Sequence, residues 1–127
     1  MKQVFNGYLH GAERVLLAPA PAEFHLELNF GVGQQPTLYL PTDNRRQYPV
    51  KLVVTRQHLQ LQAHQSQRWS VPELVAPCLV IDCTTVGFSW QLGEQTDIVK
   101  LVRLPEQRLV ILASKRPLDY QVIITSN

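Results

Sequence analysis

A chain of 127 residues, 45% of them hydrophobic and 17% charged, is long enough to bury one core and too apolar for an intrinsically disordered segment. Its formal net charge is +2, and only Arg45-Arg46 and Lys115-Arg116 are adjacent basic residues, so it lacks the basic stripe typical of nucleic-acid-binding domains. The sequence contains neither a run of roughly 18 apolar residues nor the apolar core of a signal peptide. We therefore expect one cytoplasmic domain over residues 1–127, with neither nucleic acid nor a membrane as its partner.

The first half of the chain alternates short apolar segments with turn residues. The segment Phe24–Phe30 places an apolar side chain at every second position, which is the pattern of a half-buried strand. Gly11-Ala12-Glu13 is expected to form a turn, and Pro19-Ala20-Pro21 an extended connector. The strands predicted here are residues 4–10, 14–18, 24–30, 37–40, 50–55 and 59–63, with a polar loop at 42–47.

The second half is centred on residues 77–90, the densest apolar stretch of the chain. It predicts a central strand, a turn at Thr84–Gly87 and a second strand that carries Phe88 and Trp90 into the core. Pro72–Val75 is the one candidate for a helical turn. Further strands are predicted at 98–102, 108–113 and 120–125. Turn signals spaced about 8–12 residues apart indicate an all-β fold, a small barrel or a two-sheet sandwich of about 8–10 mostly antiparallel strands.

The potentially reactive side chains show no pattern of a catalytic or metal site. His58 and His64 share a strand face, but six residues of extended chain separate them by roughly 20 Å, too far to bind one metal ion. Cys78 and Cys83 lie in apolar surroundings and on opposite faces of a strand, which predicts two buried, inert thiols without a disulfide. We predict no catalytic residue, metal or cofactor from these patterns.

Asp82 is the one carboxylate within the apolar stretch. Alternation places it on the same face as Cys78 and Val80, and burial of a carboxylate is costly unless it accepts hydrogen bonds. Our first interpretation is that Asp82 ends the strand and caps the turn through Thr84 and Thr85. The alternative is that it organises a ligand-binding loop.

The segment from Asp82 to Gly87 resembles the Asp-x-Ser-x-x-Gly signature of PilZ domains, with Thr84 in place of serine. PilZ domains are small bacterial β-barrels, many of which bind cyclic di-GMP. The resemblance implies a cyclic-dinucleotide receptor in which Arg45 and Arg46 bind phosphate, while Asp82, Thr84 and Gly87 shape the ligand loop. Guanidinium groups suit that role because their donors match phosphate oxygens.

The upstream Arg-x-x-x-Arg motif of PilZ domains is incomplete in this chain. The residues four positions after Arg45 and Arg46 are Pro49 and Val50, so the second arginine is missing. The leading functional hypothesis is therefore a non-catalytic interaction module that binds a protein partner or self-associates as an oligomer, as a degenerate PilZ-like domain would. Its sequence support is a surface poor in charge and rich in glutamine, with thirteen glutamines in the chain.

Two alternatives remain beside the interaction module. One is the cyclic di-GMP receptor. The other is a small enzyme whose site is assembled from distant residues such as His25, Glu27 and His58.

Overall fold

The computed structural model describes residues 2–20, 23–40, 50–62, 66–71, 77–84, 86–100 and 108–126. These residues contain no helix and form twelve strands: β1 (Lys2–Leu9), β2 (Glu13–Ala20), β3 (Phe24–Phe30), β4 (Thr37–Leu40), β5 (Val50–Val54), β6 (His58–Gln62), β7 (Ser66–Ser70), β8 (Cys78–Thr84), β9 (Gly87–Leu92), β10 (Gln95–Lys100), β11 (Arg108–Ser114) and β12 (Leu118–Thr125). The all-β prediction is confirmed, with more strands than the eight to ten expected. No helix of the described residues is long and apolar enough to cross a membrane.

The strands form two six-stranded antiparallel sheets packed as a sandwich. Sheet A has the order β1-β12-β3-β8-β9-β10, and sheet B has the order β2-β11-β4-β5-β6-β7. The chain passes repeatedly between the sheets, because β1, β3, β8–β10 and β12 belong to sheet A and the other strands to sheet B. Of the two architectures that the sequence left open, the sandwich is the one formed.

Side-chain alternation decides what reaches the core between the sheets. In β3, Leu26 and Leu28 are fully buried, while His25 and Glu27 lie on the outer face. At one edge, the Trp69 ring of β7 packs edge-on against Trp90 of β9 with ring centroids 4.9 Å apart. The Trp69 Nε1–H donates to Asp97 Oδ2 of β10 at 2.7 Å, so a hydrogen bond also ties sheet B to sheet A.

The stretch 77–90 forms the neighbouring strands β8 and β9, as predicted. Phe88 and Trp90 are each only 2% exposed, which confirms their place in the core. Asp82 does share a face with Cys78 and Val80, but the prediction that this face is buried is wrong, because Leu79, Ile81 and Cys83 face the core instead. Only one thiol, that of Cys83, is therefore buried, and Cys78 is half-buried.

Two predicted boundaries differ from the structure for the same physical reason. β2 continues through Pro19 to Ala20, and proline is tolerated there because β2 is an edge strand of sheet B. β10 starts at Gln95 rather than Ile98, and as the edge of sheet A it exposes both polar and apolar side chains, so no alternation marks its start. The loop at 42–47 and the helical turn at 72–75 lie outside the described residues.

Candidate functional site

A groove of about 350 Å³ lies on the outer face of sheet B. Its floor consists of side chains in register across three neighbouring strands: Thr37 of β4 pairs with Val53 of β5, which pairs with Gln60 of β6. In the next row, Lys51 of β5 pairs with Gln62 of β6. Side chains that face each other across strands lie about 5 Å apart, so the polar side chains of Thr37 and Gln60 flank the apolar Val53, and Lys51 and Gln62 are direct neighbours.

One end of the groove is formed by the turn between β11 and β12, which contributes Lys115 and Arg116. Ser114 fixes this turn, since its hydroxyl donates to the Arg116 carbonyl at 2.6 Å and accepts from the Arg116 N–H at 3.3 Å. Gly11, with φ of 134°, packs against the same turn, and a Cβ at this position would lie 3.3 Å from the Lys115 carbonyl oxygen. The two cations are therefore carried on a well-supported turn rather than on a free loop.

Most polar side chains of the groove make no hydrogen bond with another described residue. Thr55 donates its hydroxyl to the His58 carbonyl, but the side-chain amides of Gln60 and Gln62 have no hydrogen-bond partner among the described residues. The Lys51 ammonium lies 5.8 Å from the centroid of the Tyr39 ring, beside the groove. It forms no ion pair with a carboxylate of the residues that the structure describes. The arrangement offers amide donors and acceptors and positive charge to a ligand. Its described lining contains no carboxylate, histidine or cysteine that would serve as a base or nucleophile.

A second polar cluster lies on the outer face of sheet A. His25 of β3 is opposite Asp82 of β8, with His25 Nδ1 2.6 Å from Asp82 Oδ1, and His25 Nε2 is 3.2 Å from Glu27 Oε1. The hydrogen bond to Asp82 raises the pKa of His25, an effect that partial burial opposes and Glu27 reinforces. Both ring nitrogens face carboxylate oxygens, so both contacts are hydrogen bonds only when the imidazole is protonated.

The residues of the predicted ligand loop lie at one end of β8 and β9, where the contacts are structural. The Thr84 hydroxyl donates to the Gly87 carbonyl and accepts from the Val86 N–H, each at 3.3 Å. Thr84 therefore helps to organise the turn. The Asp82 carboxylate contacts His25, and β8 continues two residues beyond it to Thr84, so the prediction that Asp82 ends the strand is wrong; its predicted contact with Thr85 lies outside the described residues. Gly87 has a φ of 155° and passes so close to β10 that an added Cβ would overlap the Val99 carbonyl oxygen.

Several sequence candidates are not brought together. Arg45 and Arg46 lie outside the described residues, as does Thr85. His25 and Glu27 lie on the outer face of sheet A, whereas His58 lies on β6 of sheet B, so the three side chains do not converge on one site. Within the described ranges, no group of three or more His, Cys, Asp or Glu side chains is arranged to hold a metal ion.

The groove residues were missed by the sequence analysis, although a signal for them exists. In His58–Gln62, the alternation of leucine with histidine and glutamine predicts an outward-facing row of amides. What the local pattern does not contain is the pairing of that row with Lys51 and its proximity to the turn at Lys115, which come from distant segments of the chain.

No family model and no curated protein matches this chain. Solved structures with a similar fold include the carbohydrate binding module CBM66 from Bacillus subtilis, with a TM-score of 0.61 at 10% identity over 94% of this chain and 91% of that one. The Caenorhabditis elegans galectin LEC-6 has a TM-score of 0.64 at 6% identity, covering 94% and 96%. Sucrose-6-phosphate hydrolase from Lactobacillus gasseri has a TM-score of 0.69 at 9% identity, but the match covers 98% of this chain and only 28% of that protein. At such identities the shared property is the fold.

Proposed function

We propose that the chain is a non-catalytic binding module whose ligand is a saccharide held in the groove on the outer face of sheet B. The observation that carries the proposal is the set of polar side chains on the groove floor, led by Gln60 and Gln62, that have no hydrogen-bond partner in the described part of the chain. A primary amide both donates and accepts, as each sugar hydroxyl does, so one glutamine can bind a pair of adjacent hydroxyls.

The fold supports the same ligand class. Two of the similar structures are named as a carbohydrate binding module and a galectin, and both match this chain over nearly their full length. The proposal keeps the non-catalytic interaction module of the sequence analysis and changes its ligand from a protein to a saccharide. The change is motivated by the shape of the surface, because a concave groove with polar side chains from three neighbouring strands suits a chain of sugar rings better than a flat protein epitope.

The test is a glycan array followed by isothermal titration calorimetry with the oligosaccharides that bind. Gln60→Ala is expected to weaken binding about 10-fold, because one or two hydrogen bonds are lost from the floor of the groove. The matched control is Gln91→Ala, the same substitution on the outer face of sheet A, which is expected to leave affinity unchanged. Circular dichroism of each variant verifies the fold.

Retention of no saccharide on the array, or equal loss of affinity in Gln60→Ala and Gln91→Ala, would reject the groove as the binding site. Cyclic di-GMP is included in the titrations at about 100 µM. At that concentration a site with a micromolar dissociation constant is nearly saturated, so its binding heat is readily measured. Heat with cyclic di-GMP that disappears in Asp82→Ala would favour the cyclic-dinucleotide receptor. Light scattering during size-exclusion chromatography examines self-association in the same samples.

A further inference from the structure

The charges of the described residues are divided unevenly between the two outer faces. The groove on sheet B is lined by Lys51, Lys115 and Arg116, and none of its described lining residues is acidic. Among the described strands of sheet B the one acidic residue is Glu13, whose carboxylate accepts a hydrogen bond from the His10 backbone N–H at 3.2 Å. The other acidic strand residues belong to sheet A. Glu27, Asp82 and Asp119 lie on its outer face, whereas Asp97 pairs with the core-facing Trp90 and contacts Trp69.

We propose that the groove selects acidic saccharides over neutral ones, with the three cations contacting carboxylate, sulfate or phosphate groups on the sugar. This inference rests on the proposed function, because it names the class of saccharide that the same groove takes. Lys51, Lys115 and Arg116 form no ion pair with a carboxylate of the described residues, which leaves them available to a ligand anion. Charge-assisted hydrogen bonds are about twice as strong as neutral ones.

The arrangement divides recognition between two kinds of group. The amides of Gln60 and Gln62 on β6 face sugar hydroxyls, while Lys51 lies one strand away in the middle of the floor and is half-buried. Partial burial reduces screening by salt, so Lys51 contributes more to an ion pair than an exposed lysine does. Lys115 and Arg116 are exposed and lie at the end of the groove, which suits contacts with a second anionic group along an oligosaccharide.

The test uses two oligosaccharides that differ in one functional group. Oligomers of β-1,4-linked mannuronate and of β-1,4-linked mannose share linkage and ring configuration. They differ only in C6, which is a carboxylate in mannuronate and a hydroxymethyl group in mannose. Calorimetry at about 0.05 M and 0.3 M salt is expected to show at least about 10-fold tighter binding of the mannuronate oligomer at low salt, with the difference reduced at high salt. A sulfated oligosaccharide in a parallel titration distinguishes carboxylate from sulfate as the preferred anion.

The variants separate this inference from the proposed function. Lys51→Gln is expected to weaken binding of the acidic oligomer about 5-fold and leave the neutral oligomer within 2-fold, whereas Gln60→Ala weakens both. Lys100→Gln, on the opposite sheet, is the control for net charge. Equal affinity for the two oligomers, or an equal effect of Lys51→Gln and Lys100→Gln, would overturn the acidic preference and leave saccharide binding intact. Binding of neither class would overturn both proposals.

Discussion

The pairing of His25 with Asp82 predicts a pH-dependent contribution to stability that a double-mutant cycle can isolate. The cycle consists of the parent protein, His25→Gln, Asp82→Asn and the double variant, with the free energy of unfolding measured for each. Because Nδ1 and Nε2 of His25 face Asp82 and Glu27 at 2.6 and 3.2 Å, protonation lets one imidazolium donate to two carboxylates. A neutral imidazole has a single N–H and loses one of the two bonds.

The sign follows from the direction of the pKa shift. The folded-state pKa of His25 is raised above the unfolded value of about 6.5, mainly by the hydrogen bond to Asp82. The stabilisation is therefore fully present below about pH 6.5 and is lost as the pH rises through the folded-state pKa. The side chains of His25 and Asp82 are 36% and 59% exposed, so we expect a coupling energy of only about 0.5–1 kcal/mol at pH 5.5.

Urea denaturation monitored by circular dichroism at pH 5.5 and pH 9 measures the coupling energy at both protonation states. We expect it to fall by at least half at pH 9. Asn29 and Gln121 supply a control cycle, since Asn29 Nδ2 donates to Gln121 Oε1 at 3.3 Å on the same outer face and neither group titrates. A His25–Asp82 coupling energy that is equal at the two pH values, or that changes in parallel with the Asn29–Gln121 control, would show that the contact does not depend on protonation of His25.

Two further predictions concern the fold. Gly87→Ala is expected to destabilise the protein by about 2–5 kcal/mol, because the strain of a positive φ adds to the overlap of the new Cβ with the Val99 carbonyl oxygen. Gly33→Ala is the control, since φ there is 79° and the space is open, and it is expected to cost about 1–2 kcal/mol in the same denaturant titrations. Equal costs of the two substitutions would contradict the role assigned to the β10 contact. Asp97→Ala is expected to cost about 1 kcal/mol and to shift the Trp69 fluorescence to longer wavelength, since the indole N–H loses its carboxylate partner; an unchanged spectrum would show that the bond between the sheets is not formed in solution.

Much of the fold was predictable because alternation is a local property. In β3, the spacing of Phe24, Leu26 and Leu28 fixes which side chains are buried, and the predicted bounds of this strand agree with the structure. The same holds for the burial of Phe88 and Trp90 on β9. Where a strand lies at the edge of a sheet, as β10 does, both faces tolerate polar residues and the pattern that marks a strand is lost.

Asp82 shows the limit of this local reasoning. Period-two alternation placed it correctly with Cys78 and Val80 on one face, but a strand's pattern does not say which of two apolar faces meets the other sheet. That depends on the neighbours of β8 in sheet A, and β3 brings His25 to Asp82 across 57 residues of sequence. The groove on sheet B arises in the same way. Its glutamines appear in the sequence as an alternating row. Their register with Lys51 and the approach of Lys115 and Arg116 depend on the pairing of distant strands, which local periodicity does not encode.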